Sequence, residues 1–469
     1  MRVDYSGLPR AVFDIDAGAT LGPLELWRAT LGQGGSNSDP FPPRIVDALR
    51  QLRPRLVRVF LQEYFAVYPN HGAFDWSRLD PYMDALAAIG APVLATLNLK
   101  PPCLFPLVDP RVWRPTDVAE YQELIFGIVR RYSVERPIVT HWEHVNEPDI
   151  GESGGCPFHI PTVEENLELY RMIVKPVLEA FPAAKVGGPA MAWVESPILE
   201  GFVEGCRREG IPLDFVSWHM YSNNPEDFRA GARRVAGYLA RFTAPHPEQM
   251  INEWNKGFDF ADADHPSYEL ISVEEMACDP RRAAFVAAAI IAMLDGGPDW
   301  SNYFSVWDGG CRPDEFRRFY TEAATVEVMY RHWNETPHRF GLFSSSAKVR
   351  PQYFVYQLLS CMGDDRIAIT STASDLHAVA GTGGGMIAAL VANYGEKVSR
   401  DQIVMLRFRG LKPGLRRLRV LRIDGEQRWS SERLELLPVE ERIVEVLPEF
   451  LTHVYSPADS VVQVRLEEV

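Results

Sequence analysis

Ile138-Val139-Thr140-His141-Trp142-Glu143-His144-Val145-Asn146-Glu147-Pro148 is the segment from which the fold is most directly read. Its first half is β-branched and aromatic, as suits a strand, and it stops at Asn-Glu-Pro, where the proline ring stiffens the exit. Seven other short apolar runs share this shape: Leu24–Leu31, Leu56–Leu61, Pro92–Leu97, Lys185–Pro189, Asp214–Met220, Met250–Trp254 and Asn302–Trp307, so that Ile138–Val145 stands fourth of eight. Most are apolar nearly throughout, the pattern of parallel strands buried on both faces.

Amphipathic segments fill the gaps. Pro42–Leu52 opens with prolines suited to a first helical turn. Asp75–Gly90 ends on a glycine placed for a C-terminal cap. Thr116–Tyr132 begins with a threonine as N-cap and carries Glu120 near the capping-box position. Thr162–Phe181, Ser196–Gly210, Pro225–Phe242 and Asp279–Gly297 follow the same grammar. Eight alternations over about 300 residues predict a (β/α)8 barrel of the TIM type, an α/β fold, in preference to an open doubly wound sheet. The open sheet would want a glycine-rich phosphate loop after its first strand, and Leu31-Gly32-Gln33-Gly34-Gly35-Ser36-Asn37 lacks the full spacing. After about residue 365 the rhythm becomes short alternating runs broken by glycines, which predicts a small accessory β-sandwich. The expected division is residues 24–364 as the barrel, 365–469 as the β-sandwich, and 1–23 as a segment packed on that sandwich.

The chain has 469 residues, 46% hydrophobic and 24% charged, with a formal net charge of −15. That balance supports a large core, and the acidity argues against nucleic acid as a partner. No secretory leader is read at the N-terminus and no apolar stretch is long enough to span a bilayer, so no membrane partner is expected. The six cysteines (Cys103, Cys156, Cys206, Cys278, Cys311 and Cys361) include no CxxC pair and read as free thiols of a reducing cytoplasm. Cys103 and Cys156 both fall in loops placed on the active face, where a bridge or a metal site stays open. Assembly of identical copies also stays open.

In such barrels chemistry sits at the C-terminal ends of the strands. The fourth strand leads to Glu147 and the seventh to Met250-Ile251-Asn252-Glu253-Trp254-Asn255, 106 positions further on (253 − 147). That is three strand–helix units, which puts two carboxylates on one rim. Paired carboxylates suit glycosidic cleavage: one gives a proton to the leaving oxygen, the other meets the oxocarbenium-like carbon. An ionised Glu253 keeps Glu147 protonated, and esterification of Glu253 by the sugar releases that proton for the second step. Asn146 is placed to bond a sugar hydroxyl. His141, His144 and His219 show no metal-ligand spacing, and no metal or cofactor is expected.

Trp142-Glu143-His144-Val145-Asn146-Glu147-Pro148 resembles the acid/base motif of clan A glycoside hydrolases, and Asn252-Glu253-Trp254-Asn255 the nucleophile motif of family 39, known for β-xylosidases and α-L-iduronidases. Val186-Gly187-Gly188-Pro189-Ala190, Phe215-Val216-Ser217-Trp218-His219-Met220-Tyr221, Phe340-Gly341-Leu342 and Arg350-Pro351-Gln352-Tyr353 resemble further stretches of that family, in order over roughly residues 25 to 400. The resemblance implies a barrel with an accessory β-sandwich and a retaining, β-xylosidase-like activity on short oligosaccharides. It implies Glu147 as acid/base and Glu253 as nucleophile. Tyr221 would then bond Glu253, His219 would line the site, Arg58 would lie beneath the nucleophile, and Trp307, ending the eighth strand, would floor the sugar. Family β-xylosidases show Arg-x-His on the second strand; here the run is Arg58-Val59-Phe60-Leu61-Gln62-Glu63, so Gln62 or Glu63 is expected to take over the polar contact. Lys100 and Lys256, near the rim, could receive a carboxylated sugar. The alternatives carried forward are the same fold acting on a galactoside, arabinoside or uronide, and a non-catalytic carbohydrate-binding protein.

Overall fold

A computed structural model describes the chain except for residues 1–6, 27–29, 35–36, 244–245, 258–278, 336–339, 372, 374 and 427–428. Eight parallel strands close into a barrel in chain order: β2 (Thr30–Gln33), β3 (Leu56–Gln62), β4 (Val93–Asn98), β5 (Val139–Glu143), β6 (Lys185–Met191), β7 (Phe215–Ser222), β8 (Glu248–Lys256) and β9 (Trp300–Phe304). β2 pairs with β3 on one side and β9 on the other, which closes the ring. Every residue of β3 and β4 is buried, because the barrel interior takes one face and the helices the other.

The helices are α1 (Pro43–Leu52), α2 (Leu79–Ile89), α3 (Val118–Val129), α4 (Val163–Ala180), α5 (Pro197–Glu209), α6 (Pro225–Leu239), α7 (Pro280–Gly296) and α8 (Pro351–Leu359). Gly90 ends α2 in the left-handed region at φ 84°, as its position after the apolar run predicts. At α3 the cap lies one residue later than the sequence suggests: Asp117 accepts the Glu120 N–H, while the Thr116 hydroxyl bonds the Leu104 carbonyl. The first strand starts at Thr30 rather than Leu24; the expected run crosses residues 27–29, outside the described residues. The eighth ends at Phe304, so Trp307 lies beyond it and bridges Phe343 instead.

The remaining strands are β1 (Arg10–Pro23), β10 (Asp365–Ser371), β11 (His377–Gly383), β12 (Met386–Asn393), β13 (Gln402–Arg409), β14 (Gly414–Ile423), β15 (Glu440–Val446), β16 (Glu449–Ser456) and β17 (Ser460–Glu468). Among the described residues their hydrogen bonds form one continuous nine-stranded sheet, ordered β15-β14-β17-β12-β11-β10-β1-β13-β16, and not two separately bonded sheets. β1 lies inside it, antiparallel to β10 and parallel to β13. One face carries its own core, with Phe13, Leu406, Val420 and Val464. The other face gives Val379, Leu390, Ala392 and Val461 to the barrel core, where α7 packs against it.

That docking reaches the loops above the strands. Tyr394 donates to the Asn223 carbonyl just after β7 at 2.7 Å, and Arg281 of α7 bonds Asp459 and the carbonyls of Gly395 and Glu396. Because Leu390 belongs to the core that barrel and sheet share, Leu390→Ala is expected to cost about 2–5 kcal/mol and to lower the whole unfolding curve in a single step. Far-ultraviolet circular dichroism and tryptophan fluorescence should then report one common midpoint; separate midpoints would show two independent units.

Candidate active site

Two glutamates face one another over the C-terminal mouth of the barrel. Glu147 follows β5 and holds a left-handed backbone at φ 41°, a conformation that costs free energy and recurs at functional sites. Its N–H bonds the Ala190 carbonyl at the end of β6, and its own carbonyl accepts from Ile150 and Gly151, the start of a short turn (Gly151–Gly154) that folds over it. A Cβ on Gly154 would overlap the Glu147 carboxylate, so a side chain there would displace that carboxylate from its present position. Glu253 lies within β8. The register between β7 and β8 slips between the pairs Trp218–Ile251 and His219–Glu253, leaving Asn252 as an extra residue. Successive strand side chains normally point to opposite faces; the bulge turns both Asn252 and Glu253 into the barrel.

Arg58 of β3 joins the two strand ends. Its Nη1 donates to Glu253 Oε2 at 2.9 Å, its Nε and Nη2 to Glu143 Oε2 at 3.0 and 2.7 Å, and Nη2 also to Asn146 Oδ1 at 2.7 Å. Glu143 further accepts from Thr96, Ser217 and Asn252. Tyr221 donates to Glu253 Oε1 at 2.8 Å, and His219 Nδ1 stands 2.6 Å from Glu147 Oε1. One oxygen from each of Glu147 and Glu253 and a ring nitrogen of His219 lie within 4.8 Å of one another. A cavity of about 850 Å³ opens over them, lined by both glutamates, Phe60, Tyr221, Phe304, Phe340 and Trp193 among others.

The two carboxyls are unequal. Burial raises both. On Glu147 the push is reinforced by the charges of Glu253 and Asp149, holding it well above the ordinary carboxylate range. On Glu253 it is opposed by the Arg58 charge and by hydrogen bonds from Tyr221 and Arg58. Burial, with Arg58 adding, holds His219 well below its usual value, which keeps the ring neutral. Glu147, His219 and Glu253 are also the residues that could hold a cation, but the Arg58 guanidinium bonded to Glu253 already supplies the positive charge there.

The sequence model of the glycosyl hydrolases family 39 matches residues 16–428. The chain belongs to that family. Two curated relatives are β-xylosidases: one from Geobacillus stearothermophilus is 22% identical over 273 residues, 54% of this chain and 48% of its own length. One from Caldicellulosiruptor saccharolyticus is 24% identical over 324 residues, 63% of this chain and 58% of its own. The matched region thus spans about half the length of these relatives. A crystal structure of a glucosidase from Croceicoccus marinus superposes with a TM-score of 0.72 at 21% identity, covering 98% of this chain and 99% of that one, a likeness of fold.

Within this family 39 chain, the expected residues separate into two groups. Glu147, Glu253, His219, Tyr221 and Arg58 converge. Asn146 is not among the residues lining the cavity; its amide oxygen accepts from Arg58 and its NH2 donates to the Gly154 carbonyl. Glu63 is buried, accepts the Lys100 N–H, is pushed up to about 8 by that burial, and is not among the residues lining the cavity. Gln62 donates to the Gly155 carbonyl. Lys100 is turned inward, its ammonium bonded to the carbonyls of Asp109 and Pro157 over the Phe158 ring, and cannot receive a carboxylated sugar. Lys256 is not among the residues lining the cavity. Trp307 sits against Phe41, its backbone held by Gln33, and lines a separate small cleft, whereas Phe304 and Phe340 line the cavity over the glutamates. His141 packs on Phe215 and Trp300 and His144 on Phe202, and among the described residues His219 groups with Glu147 and Glu253 rather than with them. Cys103 and Cys156 are free thiols, as are Cys206 and Cys361, while Cys278 lies outside the described residues.

Glu143 was not singled out by sequence reasoning, although it stands in the decisive motif. The available signal was an acid ending a strand otherwise buried, opposite the arginine of β3. With Arg58 1% and Glu143 0% exposed, Glu143→Ala would leave a buried guanidinium short of a partner and is expected to cost about 3 kcal/mol or more in denaturant unfolding. A midpoint equal to that of the unaltered protein would show that Arg58 does not need it.

Proposed function

We propose that the protein is a retaining glycosidase acting by double displacement on short glycosides. The observation carrying this reading is the 4.8 Å limit on the Glu147–Glu253 oxygen separation across one cavity. Carboxyl groups about 5 Å apart leave room for direct attack, whereas an inverting pair needs space for an intervening water. Glu253, kept anionic by Arg58 and Tyr221, attacks the anomeric carbon as Glu147 gives its proton to the glycosidic oxygen. The leaving alcohol departs and a glycosyl ester on Glu253 remains. Glu253 then carries no charge, the push on Glu147 falls, and Glu147 takes a proton from the water that hydrolyses the ester. The neutral His219 beside Glu147 fixes the direction of that carboxyl.

A β-xyloside is the favoured substrate, supported by the two β-xylosidase relatives. Phe60, whose ring lies 4.6 Å from the Arg58 guanidinium and lines the cavity, favours a second reading, another neutral pyranoside, because it offers no polar contact. The inward Lys100 weighs against a uronide. The free thiols support a cytoplasmic setting. Among the described residues no helix is long and apolar enough to cross a membrane. We read 24–364 as the catalytic barrel and 365–469, with β1, as an accessory unit; a core drawing on strands from both halves of its sheet supports a curled, sandwich-like form.

Glu253→Ala is expected to lower kcat on an aryl β-xyloside by about 10⁴-fold or more, with azide restoring turnover as a glycosyl azide of inverted anomer. Full activity in that variant would remove the nucleophile assignment. Tyr221→Phe removes a hydrogen bond that lowers the Glu253 carboxyl. The acidic limb of kcat/KM against pH should therefore move upward, with the basic limb, set by Glu147, little changed. A downward movement would contradict the assignment.

A further inference from the structure

We infer that Trp193 is the platform of a leaving-group subsite, where a second neutral pyranose ring stacks while Glu147 protonates the bond to it. The inference rests on the double-displacement reading and extends it from the bond cleaved to the group expelled.

Trp193 is 53% exposed, the highest among the described large aromatic side chains, in a chain that fully buries Trp142, Trp218 and Trp254. An indole left in water costs free energy unless something covers it. This one lies on the wall of the cavity that holds both glutamates. The other aromatic walls gather elsewhere: Tyr221 bonds Glu253 and packs on Phe340, which in turn packs on Phe304. The cavity therefore has an aromatic inner end beside Glu253 and a single exposed indole toward its rim.

The backbone places Trp193 on the side of the proton donor. Its loop leaves β6, and that loop is tied to the Glu147 segment twice: the Glu147 N–H bonds the Ala190 carbonyl at 2.9 Å, and the Ala192 N–H bonds Asp149 Oδ1 at 3.2 Å. The Trp193 carbonyl accepts the Ser196 N–H, which closes the turn before α5. The backbone that carries the indole is thus held beside the segment bearing the group that protonates the departing oxygen. A cavity of about 850 Å³ is at the upper end for small-ligand sites and has room beyond one sugar.

The chemistry of the rim selects the ligand. An aromatic face stacks on the C–H surface of a pyranose, and polar groups at its edge meet the hydroxyls. Glu195 and Asp227 line the same cavity against Arg234, an excess of negative charge beyond the catalytic pair that suits a neutral sugar over an anionic one.

The test compares xylobiose with β-xylosyl fluoride, whose leaving group is too small to reach Trp193. Trp193→Ala should lower the ratio of their kcat/KM values about tenfold, the order expected of one aromatic contact, and Trp193→Phe should hold the ratio within about threefold. Hydrolysis of the covalent intermediate, common to both substrates, should proceed at one rate in each variant. The exposed position means the substitutions leave the fold intact, which circular dichroism checks. An unchanged ratio in Trp193→Ala, with both compounds turned over by the unaltered enzyme, overturns the platform alone. Turnover of neither compound by the unaltered enzyme overturns the xyloside reading and this inference with it.

Discussion

A guanidinium shared between two carboxylates in the barrel interior holds the rest of the site in place. Arg58 faces inward from β3 and divides its donors between Glu143 on β5 and Glu253 on β8, residues 85 and 195 positions away in the chain. A buried charge without a partner is costly, so each of these three side chains constrains where the other two strands end. Thr96 and Ser217 complete the shell around Glu143 from β4 and β7. Five of the eight barrel strands are thereby tied through one buried ionic cluster beneath the mouth of the cavity.

The same cluster makes two chemically identical side chains behave differently. Glu253 faces the guanidinium and a phenol; Glu147 faces a neutral imidazole and further acids. Low dielectric surroundings amplify the contrast, since burial penalises any charge not met by an opposite one. The left-handed Glu147 and the glycine turn over it add steric definition, because the turn's Gly154 and Gly155 carbonyls are bonded by Asn146 and Gln62 and its Glu152 by Thr321. The strain at Glu147 persists because those contacts over-determine the loop.

Much of this was legible in the chain. Parallel strands buried on both faces leave uniform apolar runs, and prolines and glycines mark the ends of helices such as α1, α2, α5 and α7 because their backbone angles are intrinsic. Periodicity was blind to how the last strands bond: β1 enters the sheet between β10 and β13 from the far end of the sequence, and nothing local in Arg10–Pro23 names those partners. Asn146, Glu63, Lys100 and Trp307 were the right residue types at the right rim, and each is turned to another task by a neighbour distant in sequence.

The sequence by itself determined the alternation that closes a barrel and the placing of Glu147 just past its fourth strand and Glu253 in the C-terminal half of its seventh, because both follow from local spacing and strand direction. Only the tertiary structure decided which polar side chains remain free to meet a ligand. That is a competition among long-range hydrogen bonds: Lys100 is bound to Pro157 and Glu143 to Arg58, whereas Trp193 is left in the open cavity. Such pairings depend on three-dimensional proximity and burial, which no local pattern of residues encodes.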